Sequence, residues 1–256
     1  MWRSMQEAIR VGLSRSKVTV PAPIRRWARV KLQGGEYIPP VGWVRLGSLR
    51  RTTPISRAYG YDRGRPVDRY YIENFLSRCS EDISGRVLEV GDDTYTRQFG
   101  GSRVTCSDVL HVHEGNPRAT IIADLTCADH IPSATFDCII LTQTLQLIFD
   151  VRSAIRTLHR ILKPGGVLLA TFPGISQITD GEWRDSWYWN FTSQSARWLF
   201  GESFPAGDLT VDTHGNVLAA TALLQGMAAE ELRHQELDYR DRDYEVLITV
   251  RAVKGD

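Results

Sequence analysis

Cysteine pairs and long apolar runs are both missing from this sequence. Its 256 residues include four cysteines, and none of these forms a Cys-x-x-Cys pair, so neither a zinc site nor a disulfide framework is expected. No apolar run approaches the roughly 20 residues needed to cross a bilayer. The first residues also lack the apolar core and the cleavage site of a signal peptide. These absences predict a protein of the reducing cytoplasm.

Charge is small overall but unevenly distributed along the chain. The formal net charge is +1. Residues 1–57 hold twelve Lys or Arg and two Glu, whereas residues 58–256 hold 19 basic and 28 acidic residues. We therefore expect a basic N-terminal extension (1–57) that packs on or near an acidic main domain (58–256). The alternative is that it contacts an acidic partner or an anionic membrane surface. Nucleic acid is not an expected partner, because no aromatic-and-basic motif accompanies the charge.

Apolar runs alternate with helical periodicity in the main domain, and the helical spacing is clearest over 151–162. Strands that alternate with helices predict an α/β fold with a parallel sheet and right-handed crossovers. The predicted strands are 86–90, 103–107, 119–123, 136–142 and 166–172, followed by 208–212 and Tyr244–Val253.

Two short motifs indicate the type of α/β fold. Glu89-Val90-Gly91-Asp92 ends the first predicted strand, and Lys163-Pro164-Gly165-Gly166 introduces the fifth. With the acids Asp108 and Asp124 between them, this order resembles the class I S-adenosylmethionine (SAM)-dependent methyltransferases. The resemblance covers roughly residues 58–256. It implies a Rossmann-like, seven-stranded, mostly parallel sheet with an antiparallel last strand, flanked by helices.

Residues 57–71 resemble the lead-in segment of a methyltransferase type 11-like bacterial subgroup that is often associated with glycosyltransferases. In that subgroup the segment covers the cofactor, which implies that Arg63, Arg69 and Tyr70 face the SAM carboxylate and the acceptor. An arginine is suited to a bidentate grip on a carboxylate. The alternative is a solvated arginine face over an apolar pair, Tyr70 and Tyr71.

The loop after the first strand favours SAM over a dinucleotide. A dinucleotide needs a G-x-G-x-x-G loop for its pyrophosphate, and Asp92 and Asp93 would repel that group. SAM carries a sulfonium and an ammonium, and each carboxylate about 4 Å away contributes on the order of 4 kcal/mol before desolvation. The family usually has glycines where this chain has Asp93 and Tyr95, so the loop is bulkier than in most relatives.

Residues expected at the cofactor lie at the ends of successive strands. Gly91 permits close approach of the backbone. Asp108, nineteen residues after Glu89, is expected to accept hydrogen bonds from the ribose hydroxyls; a helix N-cap or a turn aspartate is the alternative. The resemblance implies that Val109 flanks the adenine and that Asp124 receives its amino group, unless Asp124 is an ordinary loop residue. The predicted cofactor set is Arg63, Arg69, Tyr70, Glu89, Gly91, Asp92, Asp108, Val109, Asp124, Leu125, Thr142 and Gln143.

A Trp-rich stretch follows the fifth strand, where the family places its acceptor. It is similar to an Asp-Tyr-Trp-Arg-Phe-Thr element of sugar-linked relatives, which implies that Trp187, Trp189 and Asn190 hold the acceptor. A tryptophan cluster is also good core material. His214 is the candidate general base, with Asp185 as an alternative.

No metal is expected, because a lone His111-x-His113 pair lacks a third ligand. The sequence thus predicts a SAM-dependent biosynthetic methyltransferase that methylates an oxygen of a small molecule or a glycan. Two alternatives stay open. One is a binding or regulatory protein that keeps the fold but has an altered glycine loop, and the other is an N-methyltransferase.

Overall fold

The computed structural model describes residues 38–179, 181 and 183–255. The chain divides into two compact units, residues 1–51 and 52–256. Within the first unit, the described residues 38–51 contain one 3-10 turn, Gly47–Leu49. Most of the predicted basic extension, with its expected contacts, lies outside the described residues.

A seven-stranded sheet forms the centre of the second unit, as the resemblance implied. The strand order is β3-β2-β1-β4-β5-β7-β6. The last strand, β7, is antiparallel to both of its neighbours, β5 and β6. All pairs among the first five strands are parallel. The strands are β1 (Gly85–Val90), β2 (Val104–His111), β3 (Ile121–Ile122), β4 (Phe136–Thr142), β5 (Leu162–Pro173), β6 (Leu209–His214) and β7 (Leu247–Val253).

Helices cover both faces of this sheet. The described α-helices are α1 (Val67–Arg78), α2 (Val151–Ile161), α3 (Ser193–Gly201), α4 (Val217–Gln225) and α5 (His234–Asp238). The buried side chains of α1 and α4 share one core cluster with Val87 and Leu169. Those of α2 and α3 share the other with Leu88 and Leu168. Alternation of side chains along each strand therefore gives the sheet two apolar faces. No described helix is long and apolar enough to cross a membrane.

Helix boundaries follow local signals. The carboxylate of Asp150 accepts the backbone N–H of Ser153 and caps the start of α2. Helix α4 ends at Gly226, which has φ +66°. A Cβ at Gly226 would lie 2.1 Å from the carbonyl oxygen of Ser56. Because only glycine fits there, α4 ends at Gln225.

Two strands, β2 and β5, extend four residues beyond one of their predicted ends. β2 continues to His111, because Leu110 and His111 pair with Ile121 and Ile122 of β3. β5 begins at Leu162, which pairs with Phe136 across an irregularity in the register. The extension of β2 moves its carboxyl end four residues beyond the predicted end at 107, which changes the residues that reach the site.

Candidate active site

A cavity of about 990 Å³ lies at the edge of the sheet where β1, β2 and β4 end. This is the edge at which open α/β sheets bind their ligands. Four groups of residues line it: the lead-in segment and α1, the loop after β1, the ends of β2 to β4, and part of the stretch after β5.

Glu89 and Gly91 line the cavity at the end of β1. Glu89 is only 2% exposed, and its carboxylate accepts the backbone N–H groups of Tyr95 at 3.1 Å and Thr96 at 2.7 Å. Burial raises the pKa of Glu89 to about 7, in spite of these hydrogen bonds. Gly91 has φ +98°, and a Cβ there would meet nothing within 4 Å. The loop is therefore held by Glu89 and leaves open space above Gly91.

The two aspartates of this loop have different surroundings. Asp92 lines the cavity and accepts the backbone N–H of Thr94 at 2.8 Å. Asp93 is buried and forms ion pairs with Arg97 and Arg118. Only Asp92 of the pair thus contributes a carboxylate to the cavity lining.

Of the three lead-in residues predicted at the cofactor, Arg69 lies in the cavity wall. Arg63 and Tyr70 lie outside the lining, which corrects their predicted placement. The guanidinium of Arg63 forms a bidentate pair with Glu231. The hydroxyl of Tyr70 donates to Asp238 at 2.6 Å. Both side chains therefore attach α1 and its lead-in to the C-terminal part of the unit.

Asp108 also lies away from the cavity, contrary to the prediction. Its Oδ2 is 2.7 Å from Nε of Arg86, and its Oδ1 accepts the hydroxyl of Thr120 at 3.0 Å. Val109 is buried and is likewise outside the lining. His111, Val112 and His113 line the cavity at the end of β2 instead. The reason is the longer strand, which leaves Asp108 three residues before its end.

Four more residues of the predicted cofactor set line the cavity beside β3 and β4: Asp124, Leu125, Thr142 and Gln143. Oδ1 of Asp124 accepts the amide and the hydroxyl of Thr126, both at 2.8 Å. Gln143 has φ +48°, a left-handed conformation that costs a non-glycine residue about 1–2 kcal/mol. Strain of this kind tends to occur at functional sites.

The stretch after β5 meets the cavity through residues other than those predicted. Trp183, Ser186 and Tyr188 line it, together with Phe149. The rings of Phe149 and Tyr188 meet edge to face at 5.4 Å, and Trp183 stacks on His113 at 6.0 Å. These side chains form an aromatic rim, defined here as Phe149, Trp183 and Tyr188.

The predicted acceptor residues Trp187, Trp189 and Asn190 lie outside the cavity lining. Trp189 donates its indole N–H to the carbonyl of Ile148 at 3.0 Å and stacks on Phe149. Trp187 donates to the side-chain oxygen of Asn190 at 3.4 Å. Asp185 is outside the lining, although Ser186 beside it is included. The side chains of this segment that line the cavity are therefore neighbours of the predicted acceptor residues.

His214, the predicted general base, lies at the end of β6 and outside the cavity. Its ring stacks on Tyr71 at 5.7 Å, and Nε2 lies 3.2 Å from the hydroxyl of Thr249. Burial lowers its pKa to about 4, so the imidazole is neutral near pH 7. This environment corresponds to a packed core histidine.

Several cavity residues were missed, among them Tyr61, Arg65, Tyr95 and Leu147. Tyr61 and Arg65 fall in the lead-in segment that the sequence singled out, so the segment was the available signal. Tyr95 was noted only as a departure from the glycine pattern. No local signal marks Leu147.

The cavity contains groups that complement the charges of SAM. The carboxylates of Glu89, Asp92 and Asp124 suit its cationic groups, and the guanidinium of Arg69 suits its carboxylate. The open space above Gly91 admits a ligand close to the backbone. Among the described residues, no cluster of three or more His, Cys, Asp or Glu could hold a metal ion.

Comparison with known proteins agrees with this geometry. A family model described as a methyltransferase domain matches residues 61–233, more than half of the chain. The ubiquinone/menaquinone biosynthesis C-methyltransferase of Haemophilus ducreyi is 43% identical over 105 residues. That match covers 38% of this chain and 34% of the relative, so the chain spans about a third of that protein's length.

Two solved structures are similar to this chain. A SAM-dependent methyltransferase from Archaeoglobus fulgidus superposes with a TM-score of 0.50 at 10% identity, over 73% of this chain and 94% of that chain. A SAM-dependent methyltransferase from Mesorhizobium loti gives a TM-score of 0.48 at 17% identity, over 70% and 95%. The chain therefore belongs to the methyltransferase domain family, with the fold of the class I SAM-dependent methyltransferases.

Proposed function

We propose that the protein binds SAM in this cavity and directs its methyl group to a hydroxyl oxygen of a small-molecule or sugar acceptor. The observation that carries the proposal is the charge arrangement around Gly91: the carboxylates of Glu89, Asp92 and Asp124 and the guanidinium of Arg69 are among the charged groups that line one cavity at the sheet edge. When bound, SAM supplies a methyl group made electrophilic by the adjacent sulfonium.

The residues of β1 and its loop would orient the donor. Glu89 holds the backbone of Tyr95 and Thr96 and so fixes the turn that faces the ligand. Asp92 and Asp124 add negative potential near the cationic groups. Alignment of the methyl group with the acceptor is the main contribution that such a site makes to an in-line displacement.

The aromatic rim would hold the acceptor. Phe149 is 69% exposed and Tyr188 is 48% exposed, so both rings are accessible at the cavity mouth. Flat apolar surface of this kind suits the face of a sugar or of an aromatic ring. Trp189, Trp187 and Asn190 would support the rim from behind rather than contact the acceptor.

His113 is the proposed general base. It lines the cavity, its ring is positioned by stacking on Trp183, and no hydrogen bond to its ring nitrogens occurs among the described residues. In this role the imidazole would accept the hydroxyl proton while the acceptor oxygen bonds to the methyl carbon and the bond from that carbon to the sulfonium breaks, which leaves S-adenosylhomocysteine. His214 and Asp185 drop out of the proposal, because both lie outside the cavity.

Methylation of a ring carbon is a second candidate, favoured by the 105-residue match to a C-methyltransferase. The same base could remove the proton of a phenol, and the resulting phenolate can react at oxygen or at a ring carbon. The two reactions give isomeric products that NMR distinguishes.

Calorimetric titration with SAM, S-adenosylhomocysteine and NAD tests the donor first. We expect micromolar binding of the two SAM forms and none of NAD. An acceptor screen with methyl-labelled SAM then compares phenols, nucleotide sugars and amines. Loss of turnover in His113→Ala but not in His130→Ala, an exposed histidine outside the cavity, would support the base.

Three results would contradict the proposal. Absence of SAM binding would favour the binding or regulatory alternative. Transfer to amines alone, independent of His113, would favour N-methylation. Transfer to carbon would favour the second candidate.

A further inference from the structure

Arg69 is held by two phenol hydroxyls inside the cavity wall. Its Nε donates to the hydroxyl of Tyr61 at 2.8 Å, and its Nη1 donates to the hydroxyl of Tyr95 at 3.2 Å. All three side chains line the cavity. Among the described residues no hydrogen bond is made by Nη2 of Arg69, so one edge of the guanidinium is available to a ligand.

Tyr95 connects the loop after β1 to α1. Its backbone N–H donates to Glu89, and its ring stacks on Phe99 at 6.1 Å. Its hydroxyl then reaches Arg69, in the first turn of α1. The residue that replaces a family glycine is therefore fixed at its backbone and at its ring, and it presents a fixed acceptor to the arginine.

The charge of Arg69 is retained in this environment. Burial lowers the pKa of the guanidinium, but the Asp68 carboxylate, 4.0 Å from Nε, and the Tyr95 and Tyr61 hydroxyls together outweigh burial, so the net direction is upward. Asp68 is additionally engaged with the backbone N–H of Arg69 at 2.8 Å. The Asp68 carboxylate lies on the Nε side of the guanidinium, whereas Nη2 makes no hydrogen bond to a described residue, so an anionic ligand meets the guanidinium at Nη2.

We propose that Tyr95 is a positioning residue which, with Tyr61, holds Arg69 for the carboxylate at the amino-acid end of SAM. This inference rests on the proposed function. Arginine has many rotamers, and fixing them before the ligand arrives reduces the entropy lost on binding. In the glycine pattern of the family, the loop backbone approaches the cofactor closely. In this chain Tyr95 would act on the cofactor indirectly, through the side chain of Arg69.

Selectivity between two ligands tests this role. S-adenosylhomocysteine carries the amino-acid carboxylate, and 5′-methylthioadenosine keeps the adenosine and the thioether but lacks the amino-acid part. Calorimetry would measure both affinities for the wild type, Tyr95→Phe, Arg69→Met and the control Tyr239→Phe. Tyr239 is exposed and lies outside the cavity.

Tyr95→Phe removes one hydroxyl and is expected to weaken S-adenosylhomocysteine binding about fivefold, within the range of a single hydrogen bond. Arg69→Met is expected to weaken it about 50-fold, since a charged partner is lost. Binding of 5′-methylthioadenosine should change less than about twofold in both variants. Tyr239→Phe should match the wild type for both ligands.

Equal weakening of both ligands in Tyr95→Phe, at an unchanged unfolding midpoint, would overturn the proposal in favour of a role in cavity shape. Unchanged S-adenosylhomocysteine binding in both variants would also overturn it, while the proposed function would stand. If the wild type binds neither ligand, the proposed function fails and this inference fails with it.

Discussion

The ends of β1 and β2 were both expected to place a carboxylate at the cofactor, and of the two acids only Glu89 of β1 lines the cavity. Glu89 lies next to the last residue of β1 and on the sheet face of Val87. Asp108 lies three residues before the end of β2 and is the register partner of Leu88, so it faces the opposite side with Leu88 and Leu110. Two properties therefore decide which acid lines the cavity: the face of the sheet on which its side chain lies, and its distance from the end of the strand.

The two acids also differ in their electrostatics. Burial raises the pKa of Glu89 to about 7, because backbone N–H groups are its main compensation. Burial also acts on Asp108, but hydrogen bonds from Arg86 and Thr120, together with the charge of Arg86, outweigh it and lower the pKa. The charge of Asp108 is thus paired with Arg86 within the protein. Glu89 has no cationic partner among the described residues, so a cationic ligand could pair with it.

Removing the Glu89 carboxylate should have the largest effect on this comparison. We expect Glu89→Ala to weaken SAM binding about 100-fold, because both the ion pair and the support of the loop are lost. Calorimetry checks this against Glu81→Ala, whose side chain is 85% exposed. If Glu89→Ala bound SAM as tightly as the wild type, Glu89 would have no part in SAM binding.

Changing the pH titrates the same group. With a pKa of about 7, Glu89 ionises between pH 6 and 8, and SAM affinity should rise about tenfold over that interval. Glu89→Gln should show no such rise in SAM affinity. If its affinity rose with pH as that of the wild type does, a group other than Glu89 would be responsible.

The same ionisation should lower stability as the pH rises. The folded-state pKa of about 7 exceeds the unfolded value near 4.5, so the protein binds more protons when folded. The stabilising contribution is therefore complete below about pH 4.5 and is lost as the pH rises through 7. Urea unfolding of wild type and Glu89→Gln at pH 5 and pH 8 measures the difference, expected to be about 2–3 kcal/mol.

His111 tests whether the true end of β2 contributes. It is two residues beyond Val109, the register partner of Glu89, and therefore lies on the face of Glu89. His111→Ala should weaken SAM binding about fivefold, the loss of one hydrogen bond. His130→Ala is the matched control, and equal affinities in the two variants would argue against contact with His111.

Asp108→Ala should have the smallest effect on binding. We expect SAM affinity within about twofold of the wild type, and a free energy of unfolding lower by about 1–2 kcal/mol, because Arg86 and Thr120 lose their partner. If Asp108→Ala lost SAM binding while its stability stayed unchanged, the prediction that Asp108 binds the ribose hydroxyls would be supported instead.

Most of the fold could be predicted because periodicity is a local property. The apolar runs that end at Val90 and Thr142 located β1 and β4, and the helical spacing over 151–162 located α2. The topology needed the family resemblance, since no local pattern specifies that β7 inserts between β5 and β6. The length of β2 was missed because pairing with Ile121 and Ile122 extends it.

The site was predicted in part for the same reason. Glu89, Gly91 and Asp92 follow a strand end that the sequence marks clearly, and they line the cavity. Arg63 and His214 were misplaced, because their partners Glu231 and Thr249 are 168 and 35 residues away in the chain. Such pairings are visible only after folding.

By itself, the sequence determined the alternation of strands and helices, the flexible glycine at the end of β1 and the carboxylates near it. The tertiary structure alone decided which of those charges face a ligand and which are neutralised by protein. Side-chain direction in a strand depends on register, and register is set by contacts between residues far apart in the chain. Arg69 shows the result: its guanidinium donates to the hydroxyl of Tyr95, which lies in the loop after β1, 26 residues away in the chain.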